Sequence, residues 1–348
     1  IVQVTGGKHH SLALTSEGRV WSWGWNSEGQ LGNGTYTDSC LPIKVLNLPH
    51  VVQIAGGGTH SLALRADGTV WAWGENSFGE LGDGTTQNRN TPAQVVGLTS
   101  IVQVSAGKYH SLALKSDGTT WAWGYSEHGQ LGDGTTQSQK APIQVTGLTD
   151  VVQVAGAKHH SLALKADGTV WAWGENVFGQ LGDGTITERH SPVQVVELAH
   201  IVQVAGAYTH SLALKSDGTV WAWGTNEYGQ LGNGGTNSSS LPIIVPSLTQ
   251  QTYLSASGFH SASLQALTQD TTLSLKDSSL SYAPAYTLSA TLTRQQGFPL
   301  VYQPLTFAVD GVLLGIARTG ASGTAFLTVA NTPLLAIGTH SLVVSFVG

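Results

Sequence analysis

The sequence lacks methionine altogether, has a single cysteine at Cys40, and carries charge on only 10% of its 348 residues. One cysteine excludes an intrachain disulfide and a cysteine-built zinc site. No apolar run approaches the roughly 20 residues that a spanning helix needs, so no membrane span is expected. No basic block stands out against a net charge of −6, which makes nucleic acid a poor electrostatic partner. Without methionine at its first position, and without a signal peptide, the sequence reads as a fragment of a longer protein. What it has in quantity is glycine, 44 residues, beside 41% hydrophobic content. That balance suggests short strands joined by tight turns.

The glycines fall in register with a repeat of fifty residues. His recurs at 10, 60, 110, 160, 210 and 260, each followed by Ser. Trp recurs at 21, 71, 121, 171 and 221 and again two places later, and Pro at 42, 92, 142, 192 and 242. Five units fill residues 1–250 and a partial sixth follows at 251–266. Each unit reads as four strands. Ile1-Val2-Gln3-Val4 is apolar nearly throughout, as suits a strand buried on both faces. His10 to Leu14 follows a Gly turn. Glu17-Gly18, or Asp-Gly in later units, is a two-residue hairpin signal leading to Val20 to Gly24. Pro42 to Val45 can only be an outer edge strand, because Pro donates no ladder bond. Period 2 puts Trp21 and Trp23 on one face, and Leu12 and Leu14 on one face of the strand beside them. Large and small surfaces can then interlock between units stacked around an axis. The expected fold is all-β, a β-propeller of four-stranded blades.

Residues Val51 to Gly82 read V-x-Q-I-A-G-G-x-x-H-S-L-A-L-x-x-D-G-x-V-W-x-W-G-x-N-x-x-G-E-L-G, with Ile54 and Glu80 where other units hold Val and Gln. This closely resembles the regulator of chromosome condensation repeat, and the other four full units match comparably. The resemblance implies a seven-bladed propeller closed by strands from both chain ends. Strand sharing would then place at least a half-repeat upstream of Ile1, and a seventh blade would need one more repeat.

Beyond about Leu267 the repeat stops. Thr271 to Leu275, Tyr286 to Thr293, Leu305 to Val309, Val312 to Ala317, Thr324 to Val329 and His340 to Phe346 alternate like half-buried strands, with Asp310-Gly311 as a hairpin turn. Together with the turns around Gly320 to Ala325 and Gly338-Thr339-His340, residues 267–348 resemble a bacterial immunoglobulin-like β-sandwich. That resemblance implies a bacterial secreted or cell-surface protein, hence an extracellular location.

The repeated polar residues are expected to be scaffold. Zinc-type ligands must converge within about 2.0–2.1 Å of one ion, whereas a ring of His spread over blades is too wide. Each His is expected to bond backbone groups in its own Gly turn. Asp83, Asp133 and Asp183, with Asn33 and Asn233, supply one group per loop, too few for calcium and ordinary for Asp/Asn-Gly turns. The Trp pairs are expected in the core. Plant UV-B photoreceptor members carry sensing Trp where this chain has His9, Thr59, Tyr109, His159, Thr209 and Phe259, which argues against photoreception.

No nucleophile, base and acid stand together, so no enzyme activity, metal or cofactor is expected. What varies between units is confined to loops. Trp25, Tyr36, Phe78, Arg89, Tyr109, Tyr125, His128, Phe178, Arg189, Tyr208 and Tyr228 are the candidate binding residues, since aromatics and Arg on a constant scaffold suit recognition. The reading is a monomeric, non-catalytic platform for a protein or glycan partner. Two alternatives stand beside it. One is guanine-nucleotide exchange on a small GTPase, although the family's founding member uses an inserted β-hairpin wedge that these uniform units lack. The other is a secreted β-lactamase-type inhibitor.

Overall fold

The computed structural model describes residues 1–246, 248–265, 271–275, 285–294, 304–309, 312–320, 322, 324–330 and 342–345. Two compact units divide the chain, Ile1–Ala266 and Leu267–Gly348.

In the first unit each complete repeat forms one four-stranded antiparallel meander, with strands in chain order. In blade 1 these are Gln3–Gly6, His10–Leu14, Val20–Gly24 and Ser39–Lys44. The same sheet recurs four times, and Gln251–Ser257 pairs with His260–Gln265 as a two-stranded sixth sheet. The outer strand carries Pro42 and pairs only with the third strand, through a register shift between Ser22 and Gly24. Its missing ladder donor therefore faces the free edge.

Neighbouring sheets interlock as the alternation predicts. Leu12, Leu14 and Val20 of blade 1 pack with Ala63 and Trp73 of blade 2 in one buried cluster. Corresponding clusters join blades 2 and 3, 3 and 4, and 4 and 5. Trp73, Trp123, Trp173 and Trp223 are fully buried, each removing roughly 150–250 Å² from water. The indole N–H of Trp73 donates to the Gln30 carbonyl at 2.8 Å, so the ring is satisfied as well as buried. The other Trp of each pair lies nearer the rim. Lys115 and Lys165 sit over Trp121 and Trp171 at 5.5 and 5.9 Å.

The repeated His accepts from its own Gly turn through its backbone carbonyl, but its imidazole bonds the next blade, which corrects the expectation above. His10 Nε2 lies 2.9 Å from the hydroxyl of Ser61 in the next blade, and Ser61 donates onward to the Gln30 carbonyl of blade 1. A hydroxyl that donates its proton to a carbonyl must accept from the imidazole. The His is therefore the neutral Nε2–H tautomer. The ring lies so close over Gly7 that a Cβ there would meet His10 Cε1 at 2.2 Å.

A second stitch joins the inner strands. Gln3 Nε2 donates to the Ile54 carbonyl at 2.8 Å, and Ile54 N–H donates back to Gln3 Oε1 at 2.9 Å. Gln53, Gln103, Gln153 and Gln203 repeat the exchange around the axis. A lone Gln in each inner strand thus uses both its amide nitrogen and its amide oxygen on the neighbouring blade.

The second unit holds two three-stranded sheets. One contains Thr271–Leu275, Ala285–Arg294 and Thr324–Ala330, and the other contains Val312–Arg318, Pro304–Val309 and Leu342–Ser345. Ala290 and Ala325 of the first sheet share a core with Leu305 and Phe307 of the second. Asp310-Gly311 and Gly338-Thr339-His340, proposed as turns, lie outside the described residues.

Candidate functional site

A meander of four strands places two of its connections at one end of the blade. In blade 1 these are the turn at 7–9 and the long loop at 25–38. The backbone ties them together, with Trp25 N–H donating to the His9 carbonyl at 2.9 Å and Tyr125 N–H to Tyr109 at 2.9 Å. The varying positions of these two connections are therefore carried to one face.

A constant frame holds these loops. The Asn26 amide oxygen accepts from Leu31 N–H at 2.9 Å, and its Nδ2 donates to the carbonyls of Thr35 and Thr37, each at 3.0 Å. Asn76, Asn176 and Asn226 do the same. Sequence reasoning passed over this Asn, although its recurrence within the W-G-x-N signature was the available signal. Asp83 closes an Asx turn, its Oδ1 accepting from Thr85 N–H at 2.9 Å and from the Thr85 hydroxyl at 2.6 Å.

On this frame the non-repeating side chains of blades 2 to 4 form one continuous cluster. Phe78 meets Tyr125 edge-on with centroids 4.8 Å apart, and Tyr109 lies 5.9 Å from Tyr125. Tyr109 stacks on His159 at 5.6 Å, and His159 lies 5.0 Å from His128. Lys108 Nζ sits 4.5 Å above the Tyr109 ring. His128 Nδ1 reaches Glu188 Oε1 of the next blade at 2.7 Å, closing the cluster on that side. His159 joins the candidates on this geometry.

The remaining candidates divide. Tyr208 and Tyr228 are linked through Phe259, at 5.4 and 6.2 Å, as a second small group, and Tyr228 is 78% exposed. Trp25 packs edge-on with His9 at 5.7 Å. Tyr36 and Phe178 are exposed side chains of the same face. Arg89 and Arg189 each bond the Asp of their own loop, Asp83 and Asp183, at 2.8 Å, so part of their guanidinium is already committed to holding the loop.

Burial shapes the titration of this face. His159 is driven down to about 3, first by burial and then by Lys158, His128 and Lys108. The Tyr125 hydroxyl is pushed up to about 12 by burial and by its bond to Glu127. Glu80, placed where other blades hold Gln, is fully buried beneath Phe78, whose N–H it accepts at 2.9 Å, and burial raises it to about 7. Its other oxygen has no hydrogen-bond partner among the described residues. Glu75 beside it is raised as well, by burial and by Glu28. Among the described residues, no three His, Cys, Asp or Glu converge as metal ligands.

The family model of the RCC1-like domain matches residues 1–273. The chain belongs to the RCC1-like domain family. Human WBSCR16 superimposes with a TM-score of 0.69 at 28% identity, over 76% of this chain and 72% of that one. Yeast RCC1 (Prp20), solved bound to Kap60, gives a TM-score of 0.67 at 28% identity over 76% and 68%. Prp20p from Saccharomyces cerevisiae, at 25% identity and the same coverage, was described together with its binding properties to Gsp1p and histones. Among curated proteins, the ultraviolet-B receptor UVR8 of Arabidopsis thaliana is 49% identical, and the human RCC1-like G exchanging factor-like protein 47% identical. Each of those matches spans 45 residues, 13% of this chain and 10% of the relative. These RCC1-like relatives overturn the extracellular, bacterial cell-surface location. They come from plants, mammals and yeast; one is named as mitochondrial, and another was studied for its binding to histones.

Proposed function

We propose that this chain is a protein-binding RCC1-like domain that regulates a small GTPase, in the manner of a guanine-nucleotide exchange factor, through its loop face. The single observation that supports this most is the cluster of Phe78, Tyr109, Tyr125, His128 and His159. Five rings from three blades make a contiguous patch out of the positions that the repeat does not fix. Scaffold demands alone require no such match between different blades. Rigid aromatic anchors concentrated at one place are the usual form of a binding hot spot. Trp25, Tyr36, Phe178, Tyr208 and Tyr228 would extend the contact around the rim, with Arg89 and Arg189 behind them.

Similarity to a G exchanging factor-like protein and to Prp20p, described with its binding to Gsp1p, favours a GTPase partner over a glycan. The uniform repeats leave no inserted wedge, so the loop face itself would have to do the docking. We further propose that units 1–50, 51–100, 101–150, 151–200 and 201–250 are successive blades of a seven-bladed ring that 251–266 continues, and that 267–348 is an immunoglobulin-like module.

The test is release of a fluorescent guanine nucleotide from a panel of small GTPases. Acceleration that is lost when Phe78, Tyr109 and Tyr125 are changed to Ala, in a protein of unchanged thermal stability, supports the reading. Acceleration that survives the changes removes the loop face from it.

A further inference from the structure

The inner strands line an open axial cavity of about 800 Å³, within the range of roughly 300–1,000 Å³ typical of small-molecule sites. Its wall is made of inner-strand backbone, small side chains and the Gln residues at 3, 53, 103, 153 and 203. Those amides are neutral and bond the next blade. Among the described residues, the ionised side chains lining it are Lys8, Lys108 and Lys158. Among the described residues no Asp or Glu lines it, in a chain whose net charge is −6.

The three lysines come from one repeat position, the turn after the inner strand, and so stand around one mouth of the cavity. None has a carboxylate within ion-pair distance among the described residues. Lys108 instead lies over Tyr109 at 4.5 Å and near Tyr208 at 6.0 Å. Gly58 makes that placement possible, because a Cβ there would meet the Lys108 carbonyl at 2.3 Å and its Cγ at 2.9 Å. Lys158 and Lys108 both oppose protonation of His159, and Lys108 also acts on the Glu75 carboxylate, which balances part of its charge. Like charges lining a low-dielectric recess focus their field and concentrate counter-ions.

We propose that the axial mouth is a binding site for a small, multiply charged phosphate-type oxyanion. Ammonium groups act as point charges, and three different blades supply one each around this mouth. A tetrahedral phosphate presents oxygens in as many directions, whereas a planar carboxylate is matched best by an Arg fork, and no Arg lines the cavity. This site lies beside the proposed docking cluster but does not depend on it.

Isothermal titration of the whole chain with inorganic pyrophosphate, with citrate, and with sodium chloride at equal ionic strength is the test. The expected result is one pyrophosphate site per chain, with citrate at least tenfold weaker. Affinity should fall at least tenfold in each of Lys8→Gln, Lys108→Gln and Lys158→Gln, and be unchanged in Lys115→Gln and Lys165→Gln, which lie outside the cavity. Loss of three like charges should not lower the melting temperature, and the single variants keep the comparison intact if the triple variant does not fold. No heat beyond sodium chloride, equal binding by all variants, or citrate binding as tightly as pyrophosphate would each overturn the proposal.

Discussion

His110 Nε2 stands 2.9 Å from the Ser161 hydroxyl of the following blade, and Ser161 donates to the Gln130 carbonyl of His110's own blade. The same bond recurs between His10 and Ser61, His60 and Ser111, His160 and Ser211, and His210 and Ser261. A repeated His-Ser dipeptide thus serves two interfaces at once, His toward the next blade and Ser toward the previous one. His110 and Ser161 are both fully buried. Truncation of His110 to Ala should cost roughly 3 kcal/mol through the lost bond and the void. A double-mutant cycle with Ser161→Ala should give a coupling of about 1 kcal/mol, measured by urea unfolding. Additive losses would mean that the two side chains are stabilised separately.

These imidazoles set the acid stability. Burial holds His60, His110 and His160 at about 3, and His10 and His210 at about 4, against an ordinary 6.5. The folded pKa lies below the unfolded one, so the contribution is complete above pH 6.5 and is lost as pH falls from there toward 3 to 4. Each such His costs up to about 1.4 kcal/mol per pH unit in that window. Melting temperature should drop steeply between pH 6.5 and 4. The slope should be shallower by one proton's worth in His160→Gln, as a series of thermal melts would read.

Glu80 acts in the opposite sense. Its folded pKa, about 7, is raised above the ordinary 4.5, so its contribution is complete below pH 4.5 and is lost as pH rises through 7. Glu80→Gln installs the residue that the other four blades carry. It should be indistinguishable from the parent at pH 4.5 and more stable at pH 8 by about 3 kcal/mol, the linkage value of a carboxyl raised from 4.5 to about 7. Equal stability at pH 8 would show that the carboxylate is solvated on ionising.

Glu197 occupies a left-handed backbone position, φ 58°, where Gly97 and Gly147 stand in other repeats. A side chain there costs about 1–2 kcal/mol that glycine avoids, less the entropy glycine loses on folding. Glu197→Gly should therefore raise stability by about 0.5–1 kcal/mol in chemical denaturation.

The propeller-like sheets were legible because each repeat states the same pattern five times: alternation in the strands, Asp-Gly at the hairpin, Pro at the free edge. Periodicity within a blade, however, does not say what a polar side chain meets in the next one. That is why the partner of His10 was misplaced and the stitch made by Gln3 was passed over; both bonds link residues 51 apart. The candidate surface was legible only as a set of varying positions. That Tyr109, Tyr125 and His159 converge while Tyr36 stands alone depends on how successive blades abut. Location failed for another reason. It was carried over from the resemblance of residues 267–348, whereas the family of the chain is fixed by residues 1–273.

The most direct measurement of the central claim is the rate of guanine-nucleotide release from a small GTPase in the presence of this chain, parent against Phe78→Ala/Tyr109→Ala/Tyr125→Ala. Loss of three anchors should slow the stimulated rate at least a hundredfold, equivalent to about 3 kcal/mol of binding, with the melting temperature unchanged. A stimulated rate that is equal in the two proteins would contradict the account.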